Sequence, residues 1–239
     1  MNVCRAGLLA LLFGFLATAG SPPPALRGSC QQPLKDMTDI DPGTVGFKPV
    51  PAKKDPKTGF LVGGKNAAEV FEGLAEINGR SVEALEKDMR PGAKAEVGSV
   101  KGFLGADERL RDVLAADNRY VVDVLGLTHQ ELARHLHVLA GIGAKFGDGP
   151  FLYHGRRLKV TGMGIASAGH QLSPFHDGTK ANQEATVHNL DNGRKVGYSV
   201  LVPHMIERYG FYEGTGTPYR VDPRAVVEVL DFLEQKGRP

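Results

Sequence analysis

Apolar residues recur at helical spacing through the middle of the chain and at alternate positions after it. Val70, Leu74 and Ile77 form an apolar stripe behind Asn66, whose partner Glu69 stands at capping-box spacing, and Asn78-Gly79 predicts the end of that helix. A second helix is expected from Ser81, with Val82, Leu85 and Met89 inward and Pro91-Gly92 beyond its end, completing a helical hairpin. Asp107 is the expected cap of a third helix carrying Leu110, Val113 and Leu114, and Asn118 that of a short fourth ending at Gly126. The fifth has two agreeing start signals. Thr128 and Glu131 make a capping box, and Leu127 and Leu132 are placed to staple across it; Leu132, Leu136 and Leu139 then face the core until Gly141 and Gly143 end the helix.

After Pro150 the period becomes two. Leu158 and Val160 alternate with Arg157, Lys159 and Thr161, a half-buried strand expected to pair with residues 151–154 across Gly155. Asn192-Gly193 predicts a type I′ hairpin with a two-residue loop between strands 185–191 and 194–202. That register sets Ala185, Val187 and Asn189 opposite Val200, Tyr198 and Val196 on the core face. On the other face it sets His188 across from Gly197, beneath the space of a missing side chain. Pro203 opens a short helix to Tyr209, closed by Gly210. Asp222 and Pro223 start a last helix with Val226, Val229, Leu230 and Leu233 inward, ending at Gly237. The expected fold is α+β, a single domain over 60–239, helical over 60–148 and an antiparallel sheet over 149–239 with the terminal helix packed on it.

The N-terminus changes the picture of where the chain works. Arg5 precedes an apolar run from Ala6 to Ala17, and Ala17-Thr18-Ala19 offers small residues at the positions a signal peptidase reads, so residues 1–19 are expected to be a signal peptide. The run is too short to cross a bilayer, and no transmembrane span is expected in the mature chain. Residues 20–59 hold eight of the fifteen prolines and almost no apolar periodicity, which reads as an extended tether. Removal of the leader takes Cys4 with it and leaves Cys30 alone, so an internal disulfide is excluded. Cys30 is also the one place for a lipid anchor, but Arg27 stands where a lipobox wants an apolar residue. The expectation is an exported protein, periplasmic or extracellular.

Hydrophobic content of 41% and charged content of 23% are ordinary for a globular domain. The net charge of +2 comes from 29 basic and 27 acidic residues that are interspersed, which leaves no electrostatic footprint for nucleic acid or an anionic membrane. Residues 126–136, from Gly126-Leu127-Thr128-His129 to His135-Leu136, resemble the start of the helix-turn-helix DNA-binding family. That family continues into a tight turn and a recognition helix, where this chain runs through Val138-Leu139-Ala140 into Gly141-Ile142-Gly143. Nucleic acid is therefore not an expected partner.

Candidate chemistry gathers between Gly162 and Arg220. The glycine-rich stretch from Gly162 to Gly169 departs from a dinucleotide fingerprint at Ser167 and from a nucleophile elbow at Ile165. A polar loop follows, in which His170, His176 and Asp177 can reach one point; with His188 and His204 they make a candidate ligand set for a divalent metal such as zinc. Glu207, three residues after His204, and Glu184 are the carboxylates that would serve such a metal as general base on its water, giving a metal-dependent hydrolase. The rings and guanidinium of Tyr209, Tyr212, Tyr219 and Arg220, with His188, instead suit a small polar ligand or peptide. Ligand binding without chemistry is the leading expectation, a hydrolase the alternative, and a structural protein of the cell envelope the third. His129, His135 and His137, near Glu131, are expected on a solvated or half-buried helix surface.

Overall fold

The structure, a computed structural model, describes residues 33–48, 73–92, 102–163 and 170–234. The leader, Cys30, the start of the first expected helix, Ser167 and Gly237 all lie outside the described residues. Leu34 to Pro239 form one compact unit. Residues 35–47, expected within the tether, are part of it: Met37 and Phe47 are buried, and Met37 N–H donates to the Leu152 carbonyl at 2.8 Å beside a parallel bridge of Asp36 to Leu152. A 3-10 turn at Pro42–Val45 follows, its cap Asp41 accepting from Gly43 N–H at 2.9 Å.

The end of the first expected helix is a strand. Strands β1 (Glu76–Ile77) and β2 (Arg80–Ser81) pair antiparallel, and both residues between them have left-handed backbone, Asn78 at φ 53° and Gly79 at φ 75°. That is the type I′ turn, so Asn78-Gly79 reverses the chain where the sequence pattern stopped a helix. Ser81 then caps α1 (Val82–Met89), accepting from Ala84 N–H at 3.2 Å, with Val82, Leu85 and Met89 buried as the spacing predicts. Helix α2 (Leu110–Asn118) begins after Arg109, without the expected side-chain cap from Asp107. It runs unbroken into a π-helical turn at Arg119–Val124, so Asn118 lies inside helical backbone and caps nothing.

Helix α3 (His129–Phe146) starts at the expected capping box, Thr128 accepting from Glu131 N–H at 3.1 Å, and passes straight through the glycines meant to end it. Their purpose is close approach rather than termination. A Cβ on Gly141 would collide with the Val45 carbonyl, and one on Gly143 would lie 2.6 Å from Val160 Cγ1. The helix thus beds on the Pro42–Val45 turn on one side and on the sheet on the other.

The sheet has four antiparallel strands in spatial order β3 (Phe151–Tyr153), β4 (Arg156–Thr161), β7 (Glu184–Asn189), β8 (Lys195–Ser199). A separate two-stranded pair, β5 (Gln171–Leu172) and β6 (Lys180–Ala181), brackets the polar loop. The expected register of the main hairpin is displaced by two residues: Ala185 pairs with Tyr198, Val187 with Val196 and His188 with Lys195, while Gly197 faces Thr186. Two is the period of the pleat, so the inward set is unchanged, and Ala185, Val187, Asn189, Val196 and Tyr198 are all buried. Helix α4 (Leu201–Tyr209) starts two residues before Pro203, in what the sequence reading assigned to strand, and closes at Gly210. Helix α5 (Pro223–Val229), capped by Asp222 through Arg224 N–H at 2.9 Å, buries Val226 and Val229; a 3-10 turn at Asp231–Leu233 carries on the burial with Leu233. The expected α+β class is the observed one, with helices about 110–146 and the sheet after them.

Candidate functional site

Phe175 positions the site. Ser173 N–H donates to the Thr179 carbonyl at 2.8 Å and His176 N–H to the Ser173 carbonyl at 3.1 Å, closing residues 173–179 into a tight loop between β5 and β6. Phe175 points inward from it, fully buried, stacked on Tyr209 with ring centroids 3.9 Å apart and edge-on to Phe211 at 5.4 Å. Burying a phenyl ring completely is worth about 1.5–3 kcal/mol. It holds the following His176 in left-handed backbone (φ 53°), a conformation that costs a non-glycine residue on the order of 1 kcal/mol. The reversal sends the next two side chains apart, His176 toward α1 and Asp177 toward α4.

Asp177 is the centre of the first group. Its Oδ2 accepts from His204 Nε2 at 2.7 Å and from Tyr209 O–H at 2.8 Å, and its Oδ1 from Thr179 N–H at 2.9 Å. Burial pushes this carboxyl upward, but the bonds from His204, Thr179 and Tyr209 outweigh it and hold Asp177 well below the usual carboxylate range. An ionised carboxylate only accepts, so the ring proton of His204 is on Nε2, and in the neutral ring Nδ1 presents a lone pair. Tyr209 is kept protonated by burial and by Asp177. Asn78 Nδ2, in the β1–β2 turn, donates to both the Tyr209 hydroxyl and the Phe175 carbonyl at 2.8 Å.

Asp88 of α1 organises the second group, accepting on Oδ2 from His176 Nε2 at 3.1 Å and from Arg80 at 2.7 Å. Asp177, His176 and His204 are half-buried, their side chains 14–20% exposed, with Asp88 and Arg80 more open at the rim. Neither His176 Nδ1 nor His204 Nδ1 has a hydrogen-bond partner among the described residues. His137 of α3 lies behind, its Nε2 3.9 Å from Glu207 Oε2; burial, then the proximity of His204, pushes it down to about 4, and it stays neutral.

The structure scatters the other candidates. His188 does not face a gap: it stands opposite Lys195, its Nε2 is 3.2 Å from the Thr161 hydroxyl on β4, and a Cβ on Gly197 would meet Thr186 Oγ1 at 3.3 Å. The two-residue shift of register removes the proposed space. His170 is exposed beside β5. Glu207 is buried and Glu184 holds the Tyr219 hydroxyl. Among the described residues no three His, Cys, Asp or Glu side chains converge as a metal would need; the donors come in pairs, each carboxylate already bonded to its imidazole.

Tyr212 and Arg220 lie in a second network, whose members other than the partly exposed Arg220 are buried. Arg220 grips Asp117 with two bonds at 2.7 and 2.5 Å and also donates to the Glu213 carbonyl. Tyr212, fully buried, has its hydroxyl 3.0 Å from His129 Nδ1, while His129 Nε2 lies 3.1 Å from Asn118 Oδ1. An amide oxygen accepts only, so Nε2 carries the proton and Tyr212 O–H donates to Nδ1. Burial pushes His129 down to about 4, consistent with that neutral ring. His135 is likewise buried, bonded to the Tyr153 hydroxyl at 2.8 Å, so two of the three α3 histidines belong to the interior rather than to a solvated surface.

Of the residues gathered at this edge, the sequence pattern singles out His176, Asp177, His204 and Tyr209 but not Asn78, Arg80 and Asp88. The Asn-Gly pair at 78–79 carried a usable hairpin signal; nothing local marked Asp88 as more than a helix surface residue. Comparison with protein-family models, with curated proteins and with solved structures finds no match.

Proposed function

We propose that the protein is an exported binding module that takes a small polar ligand, or a segment of a partner, at the edge formed by the 173–179 loop, α1 and α4. The observation that supports this reading is the pair of carboxylate-held imidazoles, His176 on Asp88 and His204 on Asp177, each leaving Nδ1 without a partner among the described residues. Their orientation is fixed before any ligand arrives, so little ordering entropy is lost on binding. In its neutral form each ring presents Nδ1 as an acceptor beside the Arg80 donor, a pattern that suits hydroxyl- or amine-bearing ligands. A metal-assisted hydrolase would need a third donor at one of the pairs.

Ligand-observed NMR with a panel of sugars, polyols, amines and dipeptides, run on the wild type and on His204→Ala, tests this. At least one compound should bind the wild type and lose tenfold or more in affinity for the variant. If every compound that binds does so equally well to both, the site is elsewhere.

A further inference from the structure

A second site lies along the first half of α3. Two cavities of about 680 and 500 Å³ adjoin there, and Asp41, Pro42 and Arg134 line both. Both volumes are in the range of small-molecule sites. Arg134 projects from α3 with no ion pair or hydrogen bond among the described residues, so the fork of donors at the junction is unused. Asp41, by contrast, is occupied as a cap through Gly43 N–H.

The two cavities differ in chemistry. The larger adds the carboxylates of Asp39 and Glu131, of which Asp39 is exposed and has no partner among the described residues. The smaller adds the ring of Phe47 beside Pro42. From the shared residue outward the trough thus offers a guanidinium, a carboxylate side and an apolar wall. A guanidinium prefers a carboxylate, which it meets with two parallel bonds, and the exposed carboxylate of Asp39 prefers an ammonium.

We propose that this trough binds a free α-amino acid with an apolar side chain, its carboxylate on Arg134, its ammonium on the Asp39 side and its side chain against Phe47 and Pro42. The trough shares no lining residue with the His204 edge. Titration of the full chain with L-phenylalanine, 3-phenylpropionate and phenethylamine, followed by protein NMR, separates the contributions. L-phenylalanine should bind saturably, and each analogue, lacking one charge, should bind at least tenfold more weakly. Arg134→Gln should bind L-phenylalanine no better than phenethylamine, and Asp39→Asn no better than 3-phenylpropionate. Both replaced groups are exposed and unpaired among the described residues, so the variants should melt within about 2 °C of the wild type, a small shift by surface-substitution standards. His204→Ala should leave this binding unchanged. Absence of saturable binding up to millimolar L-phenylalanine, equal binding of either analogue, or undiminished binding by Arg134→Gln overturns the proposal.

Discussion

Two polar networks in this protein use the same side-chain types to opposite ends. Around Arg220 the groups are sealed: Asp117, Glu213, Tyr212 and His129 are all buried, and every ring nitrogen of His129 has a partner. Around Asp177 they are half-open, and two ring nitrogens have no partner among the described residues. A closed network that is fully bonded fixes a structure, whereas an oriented group with spare valence at a surface can meet a ligand. The aromatic and guanidinium loop that looked like a binding surface in the sequence is the sealed one. Its Glu213 and Thr217 are buried with Phe211 and Tyr212, and Arg220 fastens it to α2 through Asp117.

Glu213 is the exception inside the sealed network. It sits in left-handed backbone (φ 67°), fully buried, with Oε1 lacking any partner among the described residues. Its Oε2 is 3.0 Å from the Thr217 hydroxyl, which is also 2.9 Å from the Gly214 carbonyl. One hydroxyl proton cannot serve both acceptors. A protonated Glu213 resolves this by donating to Thr217, which then donates to Gly214. Burial accordingly pushes Glu213 up to about 8, against the pull of Thr217 and Arg220.

The largest test of the contrast is to cut each network at its charged centre. Arg220→Ala strands a buried Asp117 and should cost about 3–5 kcal/mol in urea unfolding. His204→Ala, in the open network, should cost about 1 kcal/mol or less. Equal losses would erase the distinction. The next effect is on pH dependence. Glu213 has a folded pKa raised above its unfolded value, so its contribution is whole below about 4.5 and is lost as pH rises through about 8. Glu213→Gln should flatten that alkaline fall in melting temperature. His129 and His137 have lowered values, so their contribution is present above about 6.5 and is lost as pH falls toward about 4. Smaller again is Asn78→Ala, which removes two hydrogen bonds and replaces a residue that tolerates φ 53° by one that adopts it less readily; about 1–2 kcal/mol is expected. His188→Ala should change stability by no more than about 0.5 kcal/mol and leave binding at the His204 edge untouched.

The two Asn-Gly pairs show what the sequence could and could not tell. At 78–79 the hairpin signal was real but lay inside a helical apolar stripe, and the longer pattern hid it. At 192–193 the same pair does not make the two-residue turn it suggests. Among the loop residues only Gly193 has positive φ, because Asn189 Oδ1 takes the N–H groups of Asp191 and Asn192 while Asn192 Nδ2 reaches the Glu228 carbonyl on α5. Tertiary bonds to the last helix thereby lengthen the loop to residues 190–193. The faces of the strands survived because they depend on parity; the partner of His188 did not, because it depends on loop length. Capping at Ser81, Thr128 and Asp222 was legible since each cap is read from a few adjacent residues. The pairing of Asp88 with His176, far apart along the chain, has no local signature.

The central claim is that Asp177 sets the ring of His204 with its proton on Nε2 and its Nδ1 open to a ligand. Ring-nitrogen NMR of histidine-labelled protein reads this directly. An Nε2-protonated tautomer is expected for His204 in the neutral ring, lost or mixed in Asp177→Asn; an Nδ1-protonated ring in the wild type, or one indifferent to that substitution, would rule it out.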